Sequence, residues 1–326
     1  MNVWHMLMVT TIANVMLSGC DANGQSASTP PSTQPAAQPT SQPSGRVIST
    51  RLIATYEHEA MQAAVGVAIV DGQLAVSDPQ TGVIHMFNLT GQRLGILSPR
   101  DGSAPPERPM HLTCDTTGRL FVADYQTDQI LVFDVHSSKV NAFGTPGSER
   151  GQFDAPAGVA VADDGSIYVA DFNNHRVQRF NAEGRFVRLW GQEGHELGDF
   201  YYPTDVAVGP DGRLYAADAY NHRVQVFTQE GAYVTAWGRQ GNAAGEFDVA
   251  IGVAVDGEGR VYVADQFNHR IQVFGAEGQF LGTWGEHGGS PGQFDRPSDV
   301  AFDEAGRVYV ADFGNGRVQV FALDWK

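Results

Sequence analysis

The sequence predicts an all-β fold, a six-bladed β-propeller of four-stranded antiparallel blades, and three observations lead there. A unit of about 47 residues recurs six times. Each copy holds four short strand-like runs. The last copy lacks its fourth run, and a segment near the start of the chain matches the missing pattern.

The period is marked by an aspartate that closes a "VAD"-type step: Asp78, Asp124, Asp171, Asp218, Asp265 and Asp312, spaced 46, 47, 47, 47 and 47 residues apart. Within one copy, residues 158–161, 167–171, 176–180 and 186–190 alternate in polarity or are rich in β-branched side chains. Between them, Asp164-Gly165 and Glu183-Gly184 are tight-turn pairs, where glycine supplies a positive φ at no steric cost. A four-stranded meander of this kind has two apolar faces, and radial stacking against copies of itself buries both. The sixth copy stops five residues after Phe321. Arg51-Leu52-Ile53-Ala54-Thr55-Tyr56 matches the fourth-strand pattern Arg185-Phe186-Val187-Arg188-Leu189-Trp190, with Tyr56 at the tryptophan position. The N-terminal strand is therefore expected to complete the last blade and close the ring without an exposed edge at the seam.

Residues 46–326 are assigned to the propeller, and what precedes them differs in kind. The apolar run from Met6 to Leu17 is shorter than the ~20 residues that span a bilayer. It ends in Leu17-Ser18-Gly19-Cys20, which resembles the bacterial lipobox. Residues 1–20 thus read as an export signal, and the resemblance makes Cys20 the lipidated residue. No Lys or Arg precedes the apolar run, and a plain secretory signal is the alternative. Residues 21–45, made of Pro, Ser, Thr, Gln and Ala with one charge and no aromatic, are too polar to fold and read as a tether. The expected location is extracytoplasmic, anchored to a membrane through Cys20 at the periplasmic or cell-surface side, or secreted on the alternative reading.

A formal charge of −16, with only Lys139 and Lys326 as lysines, gives little attraction for a polyanion, so nucleic acid is not an expected partner. The expected partners are a protein, a glycan or a small molecule, with the propeller itself a monomer. Cys20 and Cys114 lie in unlike segments, and no disulfide is expected between them. Cys114, in an apolar β pattern, reads as a buried small hydrophobe.

The repeat reads G-x-F-x-x-P-x-x-V-A-V, then Y-V-A-D, then N-H-R-V-Q-V-F, then W-G, in full in the copies that start at Gly151, Gly198 and Gly245. It is altered in the last copy at Gly314-Asn315-Gly316-Arg317 and degenerate in the first two. On these motifs the chain resembles the NHL-repeat proteins. The resemblance implies a propeller used in diverse ways: protein interaction, single-stranded RNA binding, or sensing as part of a membrane receptor. A related propeller enzyme is the metal-dependent lyase that completes peptide C-terminal amidation. Fold alone does not choose among these.

Arg176, Arg223, Arg270 and Arg317 recur five residues after each anchoring aspartate, and an Asp–Arg pair repeated in each blade is expected; copies one and two carry Val83 and Gln129 there. His175, His222 and His269 recur in the "NHR" turn and read as scaffold. Positions that break the repeat are more informative. The residue just before the V-A-V run lies at a rim of the central channel, and the six copies place Gly66, His111, Gly158, Asp205, Gly252 and Asp299 there. His111, Asp205 and Asp299 on alternate blades could converge on the axis and ligate a divalent cation such as Zn²⁺, Mn²⁺ or Ca²⁺. The alternative is that the aspartates cap backbone amides and the histidine bonds a neighbour. Tyr125, Phe172, Tyr220, Phe267 and Phe313, after the second strand of five copies, are either an exposed ring for a partner or filler between blades.

Neither His58-Glu59 nor His195-Glu196 is followed by a second histidine at the zinc-protease spacing, and no phosphate loop, dinucleotide fingerprint or nucleophile elbow occurs. The Asp-Gly and Glu-Gly pairs lack calcium-loop spacing. The leading expectation is a non-enzymatic binding scaffold. The alternative is a metal-dependent lyase or hydrolase using the channel residues, similar to the peptide-amidating lyases.

Overall fold

The computed structural model describes residues 48–100 and 102–325. Cys20, the export signal and the tether lie outside them. Among the described residues no helix is long and apolar enough to cross a membrane.

The described chain forms six four-stranded antiparallel sheets. Blade one is Val67–Val70, Gln73–Asp78, Val83–Asn88 and Arg93–Leu97. Blade two is Pro109–Cys114, Arg119–Asp124, Gln129–Asp134 and Lys139–Phe143, and blade three is Pro156–Val161, Ile167–Asp171, Arg176–Phe180 and Phe186–Trp190. Blade four is Pro203–Val208, Leu214–Asp218, Arg223–Phe227 and Tyr233–Trp237; blade five is Ala250–Val255, Val261–Asp265, Arg270–Phe274 and Phe280–Trp284. Blade six takes Pro297–Phe302, Val308–Asp312 and Arg317–Trp325 from the end of the chain and Ile48–Glu57 from its beginning.

That last sheet closes the ring. Ile48 pairs with Trp325 and Glu57 with Arg317, with one irregularity between Leu52 and Ala54. Tyr56 opposes Val318 just as Trp190 opposes Val177 in blade three, so it fills the tryptophan position. It is 2% exposed and donates its hydroxyl to the Leu89 carbonyl of blade one at 2.8 Å, tying the two ends of the chain across the seam.

Alternation along each strand sends apolar side chains to both faces, and the core lies between blades. Tyr215, Val224 and Trp237 of blade four pack with Phe247, Val263 and Phe274 at blade five, and the same arrangement recurs around the ring. Tyr168, Tyr215, Tyr262 and Tyr309, one from each regular blade, are fully buried. Each such burial contributes about 1.5–3 kcal/mol. The turn glycines take the left-handed backbone their turns need, Gly165 at φ 80° and Gly184 at φ 73°.

The repeated aspartates are at the blade junctions, fully buried. In blade three, Asp171 accepts the Asp154 backbone N–H at 2.9 Å, Asn174 Nδ2 at 2.9 Å, Gln178 Nε2 at 3.0 Å and Arg176 Nε at 2.7 Å. The guanidinium donates onward to the carbonyls of Ser148, Glu149 and Gln152 in the loop entering the blade. Asp218–Arg223, Asp265–Arg270 and Asp312–Arg317 repeat the pair at 2.7 Å. The arginines are thus spent on the scaffold. So are the turn histidines: His222 and His269 follow 3₁₀ turns in the left-handed region, and the Nδ1 atoms of His175, His222 and His269 accept the N–H of Tyr202, Val249 and Arg296 of the next blade at 3.1 Å.

Candidate functional site at the propeller hub

The innermost strands bring Gly66, His111, Gly158, Asp205, Gly252 and Asp299 to one end of the channel. His111, Asp205 and Asp299 are 4–5% exposed, and each offers a ligating atom within 4.8 Å of the others. The intervening glycines have a packing reason. A Cβ on Gly252 would meet the Ser298 carbonyl at 2.2 Å, one on Gly158 the Asp205 Cα at 2.6 Å, and one on Gly66 the Met110 carbonyl at 2.7 Å. The ordered alternation, which from sequence looks unmotivated by the scaffold, is therefore also a steric rule: each glycine admits the larger residue of the next blade.

The carboxylates do two things. Asp205 accepts the Val253 N–H at 2.9 Å, and Asp299 accepts the N–H groups of Val67 and Val300 at 2.8 and 2.7 Å. They cap backbone amides of the following blade at Val253 and Val67, and Asp299 also that of its own neighbour Val300. Their free lone pairs still face the hub, where His111 Nδ1 is 3.1 Å from Asp205 Oδ1. The two atoms form a buried ion pair when the ring is protonated. Burial alone would hold the imidazole down, but the charge of Asp205 and a hydrogen bond to it, with the charge of Asp299 behind, push it up to about 9. Burial raises Asp299 well above the usual carboxylate range, against the pull of His111.

One imidazole and two carboxylates suit a borderline divalent ion. Zn²⁺ and Mn²⁺ accept such a mixed set, whereas Ca²⁺ prefers six to eight oxygens, more than these side chains supply. An ion held by Nδ1 and this carboxylate oxygen would have to displace the imidazole proton, since Asp205 favours the protonated ring. Asp205 and Asp299 also reach a cavity of about 220 Å³ on the axis, walled by Val67, Leu112, Val159, Val206, Val253 and Val300 and their neighbours. Cys114 lines this cavity too. It is half-buried rather than enclosed, donates its S–H to the Ile69 carbonyl at 2.9 Å, and burial raises its pKa.

The five aromatics do not form one exposed ring. Tyr125, Phe172 and Phe313 directly follow their aspartates, and Phe172 and Phe313 turn inward to 1% and 4% exposure. Tyr220 and Phe267 are one residue later and half-buried. What collects instead is a patch over blades two to four that includes Tyr201 and Tyr202: Phe172 is 4.9 Å from Tyr202, and Tyr202 is 5.6 Å from Tyr220. These two tyrosines lie in the loop entering blade four, outside the column of positions that sequence comparison follows.

Fold and hub together define an all-β six-bladed propeller with a buried histidine–carboxylate cluster on its axis. Residues 153–180, 200–227, 247–274 and 294–321 match the family described as NHL repeat, covering the three inner strands of blades three to six. No curated protein matches the sequence. Several solved structures share the fold. A streptogramin B lyase is 13% identical, covers 85% of this chain and 98% of its own, and superposes with a TM-score of 0.60. A gluconolactonase from Xanthomonas campestris is 17% identical, with 89% and 99% covered and a TM-score of 0.62. A protein of unknown function from Bacteroides thetaiotaomicron is 14% identical, with 86% and 76% covered and a TM-score of 0.66. At these identities the likeness is one of fold.

Proposed function

We propose that the protein is an extracytoplasmic binding scaffold, lipid-anchored through Cys20, whose hub holds a divalent cation on His111, Asp205 and Asp299. Its propeller mouth offers the half-buried Tyr125, Tyr201 and Tyr220 of blades two to four, backed by the buried Phe172 and Tyr202, to a protein, glycan or small ligand. The observation that carries this reading is the convergence of three buried ligating atoms, an imidazole nitrogen and two carboxylate oxygens, within 4.8 Å. A bound ion would neutralise the clustered carboxylates and give a ligand oxygen a point of attachment. The protein's own part is to hold the ligands: Val253 and Val67 fix the carboxylates through their N–H groups, and the glycines of blades one, three and five let the larger residues approach.

Metal content of the purified protein tests this. We expect stoichiometric Zn²⁺ or Mn²⁺ in the parent, lost in Asp205→Ala and Asp299→Ala, and a lower melting temperature in chelator. Metal-free protein whose melting is indifferent to chelator would end the cation reading.

A metal-dependent lyase or hydrolase is the second reading. It is favoured by the donor set, since three protein ligands leave a coordination position free, as in catalytic zinc sites. It also accords with the lyase and lactonase among the similar folds. Lactone or ester turnover that vanishes in Asp299→Asn while the fold melts normally would select it over the scaffold.

A further inference from the structure

At each junction from blade two to blade six, three repeat positions meet: the residue after the second-strand turn, the residue bridging back in the connecting loop, and the residue two before the next blade's inner strand. Between blades two and three these are Asp128, Pro146 and Asp154; between three and four, His175, Glu193 and Tyr201; between four and five, His222, Gln240 and Asp248. Between five and six they are His269, His287 and Asp295. Only this last junction, among those described, combines two imidazoles with a carboxylate.

The three are already close. Their ligating atoms lie within 4.8 Å of one another, the two imidazole centroids are 4.2 Å apart with planes at 47°, and His269 Nδ1 is 3.7 Å from Asp295 Oδ1. The scaffold fixes two of them. His269 is locked in the left-handed region after the turn Gln266–Asn268, and the backbone N–H of Asp295 donates to Asp312 at 2.7 Å. His287 is exposed, with its ring against that of His269. The space around the carboxylate is kept by Gly314, where an added Cβ would meet Asp295 Oδ2 at 2.1 Å; the other regular blades carry Asn173, Tyr220 and Phe267 at that position. Two opposing features set the strength. The Arg296 N–H occupies His269 Nδ1 at 3.1 Å, and the Arg296 Nε lies 3.3 Å from Asp295 Oδ1. An ion must displace or share these contacts, so the site is one of moderate affinity.

We infer that the junction of blades five and six carries a second cation site, formed by His269, His287 and Asp295, which takes a borderline divalent transition-metal ion such as Zn²⁺ or Ni²⁺. Two histidines and one carboxylate match the donor preference of these ions, and the outward-facing His287 leaves the remaining positions to water. The site is solvent-accessible, unlike the hub, and exchanges its ion faster.

Calorimetric titration of the full chain with Zn²⁺ alone, after chelator treatment and dialysis, tests the assignment. His287→Gln rebuilds the combination found between blades four and five, so it is a folded control drawn from the protein itself. We expect His287→Gln and Asp295→Asn each to weaken one class of binding at least about tenfold and Arg296→Gln to tighten it, with melting temperatures unchanged without metal. Asp205→Asn separates this site from the hub. If the hub binds no ion, the parent shows one equivalent that survives Asp205→Asn and is lost in His287→Gln, and the inference stands. Zn²⁺ binding unaltered in stoichiometry and affinity by His287→Gln would overturn it, whatever the hub does.

Discussion

Blades three to six and blades one and two perform the same closure with different chemistry. In the regular blades the buried aspartate, asparagine, arginine and glutamine form one network with nearly identical distances, from Asp171–Arg176 to Asp312–Arg317. In blade one the arginine is Val83, and Asp78 accepts the Gln62 N–H at 2.8 Å with His85 at 3.5 Å. In blade two it is Gln129, and Asp124 accepts the N–H groups of Glu107 and Arg108 at 2.9 and 3.0 Å. The constant element is a carboxylate that grips the backbone of the loop entering its own blade. The arginine is an addition that ties down the carbonyls of the same loop. Losing it is tolerated where the loop is secured otherwise, but a buried guanidinium without its carboxylate is costly.

The seam where the two halves meet is the first place to break this picture. Removing residues 48–57 strips the outer strand from blade six, removes the buried Tyr56 and exposes the edge of residues 317–325. We expect a loss of more than about 4 kcal/mol, since truncating one buried aromatic already costs about 3–5 kcal/mol, read as a collapsed thermal transition by circular dichroism. A melting curve like the parent's would mean that the regular blades hold the ring unaided.

The network comparison comes next in size. Asp218→Ala leaves Arg223 buried beside unpaired donors and should cost about 3–5 kcal/mol. Asp124→Ala orphans only backbone N–H groups and should cost about 1–3 kcal/mol. Urea denaturation of both variants decides, and equal losses would show that the arginine adds no liability of its own. At the hub, Gly252→Ala forces a Cβ to 2.2 Å from the Ser298 carbonyl, and Gly66→Ala to 2.7 Å from the Met110 carbonyl. Overpacking of this kind costs about 1–3 kcal/mol, with Gly252 the larger by the closer contact. Differential scanning calorimetry orders the two.

The smallest effect concerns His222. Burial depresses its pKa below the ordinary 6.5, against Asp248. Its Nδ1 accepts the Val249 N–H at 3.1 Å, which a protonated ring cannot do. The unfolded chain therefore takes up the proton first, and stability present above pH 6.5 is lost as pH falls toward the lower folded value. Asn tolerates the left-handed backbone there. It can accept the same N–H without titrating, as Asp128 Oδ1 does for Ala155 at 2.7 Å. His222→Asn should keep stability near pH 7.5 and flatten its decline between pH 7 and 5; an unchanged slope would assign that decline to other groups.

The architecture was legible because repetition shows register directly. The 47-residue spacing of Asp171, Asp218, Asp265 and Asp312 places every strand, and the unfinished sixth copy points to residues 51–56 as its complement. The hub trio was readable by the same logic, since one column of the repeat becomes one turn of the axis. What escaped was anything built from different columns. Tyr201 and Tyr202 join Phe172 only through packing between blades, and His269, His287 and Asp295 belong to three separate positions of the repeat. The steric need for Gly158 and Gly252 was hidden for the same reason: the atoms they avoid belong to the next copy.

The seam has a consequence for how the chain reaches its fold. Among the described strands, the first to be synthesised, Ile48–Glu57, pairs with the last, Arg317–Trp325. Until Arg317–Trp325 is made, Ile48–Glu57 lacks its partner, while five complete blades can already form. Contacts of such long sequence separation make a slow final step, and every chain interrupted before Trp325 carries an open edge at which a second copy could add.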